Sequence, residues 1–176
     1  MPYVTRTIGI DLAPGMVAKY NELARASHLP KNVAHAIVGD LLSDTPSELP
    51  QSSMEDGIHD EDLCGFDIAA VTAGFHHFHH QELAIARMAE RLKPGGVILI
   101  LDWVKDDTGA WNHGHSFPAQ HTVKSHGFSE AQMKELFESQ GMVDIGFKVM
   151  PETVVLRMNE ANPMEIKVFL ARARKP

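Results

Sequence analysis

The chain has 176 residues, 44% of them apolar and 22% charged, enough to bury one ordinary core, so a single domain spanning 1–176 is expected. Its net charge of −7, from 16 Lys and Arg against 23 Asp and Glu, argues against nucleic acid or an anionic membrane surface as main partner, since either calls for clustered cations. Cys64 is the only cysteine, no apolar stretch approaches the roughly 20 residues of a membrane span, and the first residues lack a secretion-signal pattern, which together point to a cytoplasmic protein.

Thr7-Ile8-Gly9-Ile10-Asp11 reads as a short strand ending in a carboxylate. In nucleotide-binding α/β sheets such an acid closes the second strand and holds a ribose, about 20 residues after a glycine-rich turn. Only six residues precede this run, and that turn is not among them. Pro14 suits the first turn of a helix reaching about Ala26, with Met16, Val17, Tyr20 and Leu23 as its apolar face. Ala34 to Asp40 is a second short strand, interrupted by His35 and again ending in an acid. Residues 43 to 64 are rich in Ser, Asp, Glu and Pro and predict a surface connection holding at most a short helix.

Phe66 to Val71 is a near-continuous apolar run, which predicts a central strand buried on both faces. A helix from Gln81 to Leu92 follows, with Ile85, Met88, Ala89 and Leu92 on one face, and Lys93-Pro94-Gly95-Gly96 stops it before a strand over Val97–Leu101. Strand, helix and strand in this order predict a parallel sheet covered by helices. Ser129 and Gln132 have capping-box spacing, Met133, Leu136 and Phe137 form a stripe, and Gly141 can close that helix. Val143, Ile145, Phe147 and Val149, then Ile166–Ala171, predict two closing strands as an antiparallel pair.

Three stretches together resemble the class I S-adenosylmethionine-dependent methyltransferases that act on small molecules: Ile8-Gly9-Ile10-Asp11 with Pro14-Gly15-Met16-Val17; Phe66-Asp67 through Gly74-Phe75-His76-His77-Phe78; and Arg91-Leu92-Lys93-Pro94-Gly95-Gly96. The ending from Gly127-Phe128-Ser129 to Val168-Phe169-Leu170-Ala171 is similar too, so the resemblance spans nearly the whole chain. It implies a Rossmann-like α/β sheet, mostly parallel with an antiparallel C-terminal strand, shortened at its N-terminus and lacking the first strand and its glycine-rich loop. Asp11 would then accept the ribose hydroxyls, Asp40 and Leu41 would meet the adenine, and Met16 and Gly74 would border the cofactor. The family often has Ser where this chain has Ala13, and a missing cap of that kind costs about 1 kcal/mol. Loss of the first strand leaves two inner sheet edges without a partner, from which a homodimer, a partner subunit or a rearranged sheet is expected.

His76-His77-Phe78-His79-His80 has the look of a metal site, but no Cys or Asp/Glu pattern completes a ligand set, so no metal is expected. In the family the His76-His77-Phe78 portion borders cofactor and substrate. The segment from Asp102 to His126 follows a strand's C-terminal end, the side on which open α/β sheets bind ligands, and it carries Trp103, Trp111 and Phe117 as aromatic walls for a small apolar substrate. His76 and His121 are the preferred general bases, with His77 and His126 behind them; His113 and His115 are read as surface residues, and Cys64 as no nucleophile. Three functions remain open. One is methyl transfer to a small natural-product-like acceptor of secondary metabolism, with S-adenosylmethionine bound once the site is completed. Another is cofactor-independent isomerisation, cyclisation or elimination with histidine as acid or base, and the third is a non-catalytic partner subunit.

Overall fold

The computed structural model describes residues 3–43, 60–105, 122–156 and 164–176, which form two compact units, Met1–Gly65 and Phe66–Pro176. Trp111, Phe117, His113, His115 and His121, and most of the connection read between residues 43 and 64, lie outside the described residues.

In the first unit, strand β1 (Thr7–Asp11) pairs in parallel with β2 (Ala34–Val38), Thr7 opposite Ala34 and Asp11 opposite Val38. Helix α1 (Pro14–Ala26) makes the crossover. Pro14 opens it as read, and Ala13 at the cap position supplies no side-chain bond. Asp11 does part of that work instead, its Oδ1 accepting the Ala13 N–H at 2.8 Å. The buried side of α1 is not the expected one. Val17 and Ala24 are buried, with Tyr20 and Asn21 half-buried, whereas Met16 and Leu23 are 62% and 56% exposed. The polar Asn21 turns the helix: its side-chain amide accepts from the Ala36 N–H at 2.8 Å and donates to the Ala36 carbonyl at 2.9 Å, fixing the face that meets β2. Ile8 and Ile10 pack with Ile37 and Leu63, the last from a 3₁₀ turn over Asp60–Leu63.

The second unit is a four-stranded mixed sheet in the order β3 (Phe66–Thr72), β4 (Leu92–Trp103), β6 (Met164–Arg174), β5 (Val143–Leu156). β3 and β4 run parallel through helix α2 (Gln81–Arg91), while β6 is antiparallel to both β4 and β5, the expected antiparallel end. Ile98, Ile100, Phe169, Ala171 and Ala173 have no exposed surface; with Ala84 and Ile85 of α2 and Phe137 of α3 (Glu130–Ser139), equally enclosed, they make the core. α3 carries the capping box read from Ser129 and Gln132, and Gly141 follows it in the left-handed region at φ 69°.

Two expectations fail here. Among the described residues β3 pairs only with β4, and β1 only with β2, so β3 is an edge rather than a central strand, with Ile68 51% exposed. An apolar run reports what a strand can bury, not how many neighbours it has. β4 also begins five residues earlier than read, at Leu92. Phe66 faces Leu92 but Ile68 faces Val97, so Lys93-Pro94-Gly95-Gly96 is looped out of a continuing ladder. Lys175 ties that loop down, its carbonyl accepting from the Gly95 N–H at 3.0 Å and its N–H donating to the Gly96 carbonyl at 2.8 Å, while its Nζ donates to the carbonyls of Ala89 and Leu92, both at 2.8 Å, at the end of α2.

Gly127 lies at φ 96°, and a Cβ there would sit 2.7 Å from the Val104 carbonyl oxygen and 2.8 Å from Lys105 N and the Trp103 carbonyl oxygen. Gly127→Ala is therefore expected to lower unfolding free energy by about 2–4 kcal/mol in urea titration. Gly15→Ala, where an added Cβ meets nothing within 4 Å on helix α1, should raise it by about 0.5–1 kcal/mol.

Candidate active site

In both units the acids stand at the carboxyl ends of parallel strands, where open α/β sheets bind ligands. Asp11 ends β1, and Asp40 follows β2 after Gly39, whose N–H donates to the Asp11 carbonyl oxygen at 3.0 Å. Both side chains are exposed. Asp40 Oδ1 accepts from the Leu42 N–H at 2.8 Å, an Asx turn that shapes the half-buried Leu41-Leu42 corner. Among the described residues Oδ2 of Asp11 and of Asp40 take no hydrogen bond, so each carboxylate keeps an oxygen that can accept from a ligand hydroxyl or amine.

The second unit places a buried pair at the matching ends of β3 and β4. After β3 the chain turns sharply: Ala73 sits at φ 50°, unusual for a residue with a side chain, and donates its N–H to the Leu101 carbonyl at 2.8 Å. Gly74 then leads into a 3₁₀ turn over Phe75–His77. This turn drops His76 onto Asp102, near the end of β4. His76 Nδ1 lies 2.8 Å from Asp102 Oδ1, the His76 backbone N–H donates to Oδ2 at 3.1 Å, and the Trp103 N–H donates to Oδ1 at 2.7 Å. His76 is 1% exposed and Asp102 not at all.

Rings hold the imidazole in place. Trp103 stacks on His76 with centroids 3.8 Å apart and planes 21° from parallel, and His77 packs against it at 4.0 Å. His77 is itself fixed, its Nδ1 lying 3.0 Å from the carbonyl oxygen and 3.1 Å from Oγ1 of Thr122. The His76 carbonyl accepts from the N–H groups of Lys124 and Ser125 at 2.9 and 3.1 Å, which binds the 122–126 strip to the turn. Phe75 and Phe128, 5.2 Å apart, floor the corner.

Of the four histidines read as general bases, the structure gives His76 a carboxylate partner and His77 a clamp, leaves His126 exposed, and does not describe His121. Trp103 stacks on His76 and belongs to a core cluster with Ile166 and Val168; Met16 stands exposed on α1, and Gly74 caps the turn that carries His76. Sequence reasoning missed Asp102 and Thr122. Asp102 had a usable signal, since it is a third acid at the end of an apolar strand, like Asp11 and Asp40. Among the described residues no three His, Cys, Asp or Glu side chains gather as a metal site, and no helix is long and apolar enough to cross a membrane.

Acids at the ends of parallel strands, with a His–Asp pair at the end of β4 in the second unit, are features of a Rossmann-like α/β fold. The profile of the methyltransferase domain family matches residues 2–145, and the chain belongs to that family. A methyltransferase of Schizosaccharomyces pombe is 30% identical over 146 residues, covering 80% of this chain and 47% of its own; the chain thus spans about half the length of that curated relative. The YcgJ protein of Bacillus subtilis superimposes at a TM-score of 0.67 with 17% identity, over 99% of this chain and 84% of its own. The cyclase SpnF does so at 0.58 with 17% identity, over 97% of this chain and 66% of its own.

Asp102→Ala would take away the acceptor of two buried backbone N–H groups, those of His76 and Trp103, and the partner of His76 Nδ1. It is expected to lower unfolding free energy by about 3 kcal/mol, read from the urea midpoint, together with loss of the Trp103–His76 stacking signal in near-UV circular dichroism.

Proposed function

We propose that this chain is a cytoplasmic enzyme that uses S-adenosylmethionine to methylate a small natural-product-type acceptor. The observation that carries this is Asp11: an exposed carboxylate at the end of the first parallel strand, with one oxygen held by Ala13 and the other open among the described residues. A ribose offers two hydroxyl donors, and an ionised carboxylate is the acceptor that suits them. Family membership supports the same assignment.

The residues present fit the nucleoside half of that cofactor. Asp11 would take the ribose hydroxyls, and Asp40 and Leu41 would border the adenine. When bound, the cofactor supplies a methyl group on a positively charged sulfur. The protein's own contribution is to hold the acceptor against Trp103 and to take up its proton at His76.

Calorimetric titration with S-adenosylhomocysteine tests this directly. Binding at micromolar concentration is expected, weakened about ten- to a hundredfold in Asp11→Ala through loss of a charge-assisted hydrogen bond. No heat up to millimolar ligand would remove methyl transfer as the activity.

The His76–Asp102 pair favours a second activity, cofactor-independent isomerisation, cyclisation or elimination, because a buried imidazole set by a carboxylate needs no methyl donor to move a proton. The cyclase SpnF is a precedent for cyclisation on a similar fold. Should the titration be silent, His76→Ala is expected to abolish any turnover of such a substrate, by at least about a hundredfold in kcat. Turnover unchanged in that variant would leave the pair without a chemical role.

A further inference from the structure

We propose that the open edge of β3 is a self-association site, at which residues 68–72 of two copies of this chain pair antiparallel about a twofold axis at Ala70 and join their four-stranded sheets into one. The pairing is independent of the chemistry proposed above.

Backbone geometry gives the direction of the unpaired groups. The Ala73 N–H donates to the Leu101 carbonyl at 2.8 Å, and Thr72 faces Leu101 in the parallel register of β3 and β4. Successive residues of a strand direct their N–H and C=O to opposite sides, so Ala69 and Val71 serve β4, and Ile68, Ala70 and Thr72 aim theirs at the open side. Among the described residues no strand lies there, and all three residues are exposed, Ile68 by 51%. The sheet's other edge is built differently. β5 carries Pro151, the exposed Lys148 and Glu152, and register shifts between Val143 and Gly146 and between Val149 and Thr153, the devices that keep an edge from pairing. Over residues 68–72 β3 keeps an unbroken register and has no proline, glycine or charge.

A second copy is the occupant that this segment itself describes. A half-turn about Ala70 sets that residue against the partner's Ala70, and Ile68 against the partner's Thr72. In each pair both residues aim N–H and C=O at one another, so every open backbone group over residues 68–72 gains a hydrogen bond. Small alanines meet at the axis, and on either side two β-branched residues face each other, a favourable cross-strand pair. No charge opposes another: Asp67, the one ionisable residue of β3, lies outside the paired span and is held by Lys93. A half-turn closes after two chains and consumes both edges, so assembly stops at the dimer.

Size-exclusion chromatography with light scattering on the full chain tests this. Wild type is expected to run as a dimer at about 100 μM. Ala70→Lys and Ala70→Glu each set like charges against one another at the axis, at an exposed position, and are expected to weaken association at least about a hundredfold, leaving monomers. An equimolar mixture of the two variants should restore the dimer, because lysine then faces glutamate. Amide exchange on wild type needs no variant: the N–H groups of Ile68, Ala70 and Thr72 should become protected as concentration rises. A wild type that stays monomeric, or dimers that persist in both variants, would overturn the proposal. Monomeric variants whose mixture stays monomeric would overturn the pairing at Ala70. If the variants do not fold, exchange at those three amides that ignores concentration decides against the edge.

Discussion

One buried carboxylate organises the strand ends of the second unit. Asp102 is without exposed surface, yet it accepts from the backbone of the turn after β3, from the side chain that turn delivers, and from the backbone of its own strand. Burying a charge is unfavourable unless donors surround it, and here they come from two chain segments 26 residues apart. The carboxylate therefore needs the turn in place, and the turn needs the carboxylate. The left-handed Ala73, the short Phe75–His77 helix and the Trp103 stack are arrangements that this mutual need holds together.

Asp11 and Asp102 occupy equivalent topological positions, each at the end of a strand in a parallel pair, but their surroundings give them opposite work. Asp102 is enclosed and both its oxygens are engaged by protein groups, so it orients a neighbour and is out of a ligand's reach. Asp11 is exposed, and a single backbone N–H fixes one of its oxygens without consuming the other. A strand-end acid is thus only a candidate. The number of donors it already satisfies, and whether water can reach it, decide whether it serves the protein or a ligand.

Local features were the most legible from sequence, since their chemistry is complete within a few residues. The box of Ser129 and Gln132, the proline that opens α1 and the glycine after α3 are of this kind. Features that depend on a partner far along the chain were harder. Apolar spacing put Met16 and Leu23 on the buried side of α1, but Asn21 overrode it by taking both backbone groups of Ala36. The run Phe66–Val71 is apolar enough for a central strand, and it pairs on one side only among the described residues. His76 stood out because it lies beside a strand's end in a cluster of imidazoles, whereas its partner was invisible until the parallel register of β3 and β4 brought the two together.

The contrast between His76 and His77 shows why residue type alone could not rank the candidates. The two are adjacent in sequence and within packing distance in space, and both engage an oxygen through Nδ1. His77 meets a carbonyl and a hydroxyl of Thr122, neutral acceptors that orient a ring but do little for a positive charge on it. His76 meets a carboxylate, and a charge-assisted bond strengthens as the ring takes a proton. Only the second arrangement becomes more favourable during proton uptake, which is the requirement for a base in a transition state. That advantage does not depend on what the acceptor does next. In the proposed function the same corner therefore serves whether the oxygen or carbon it uncovers goes on to meet a methyl group or closes a ring.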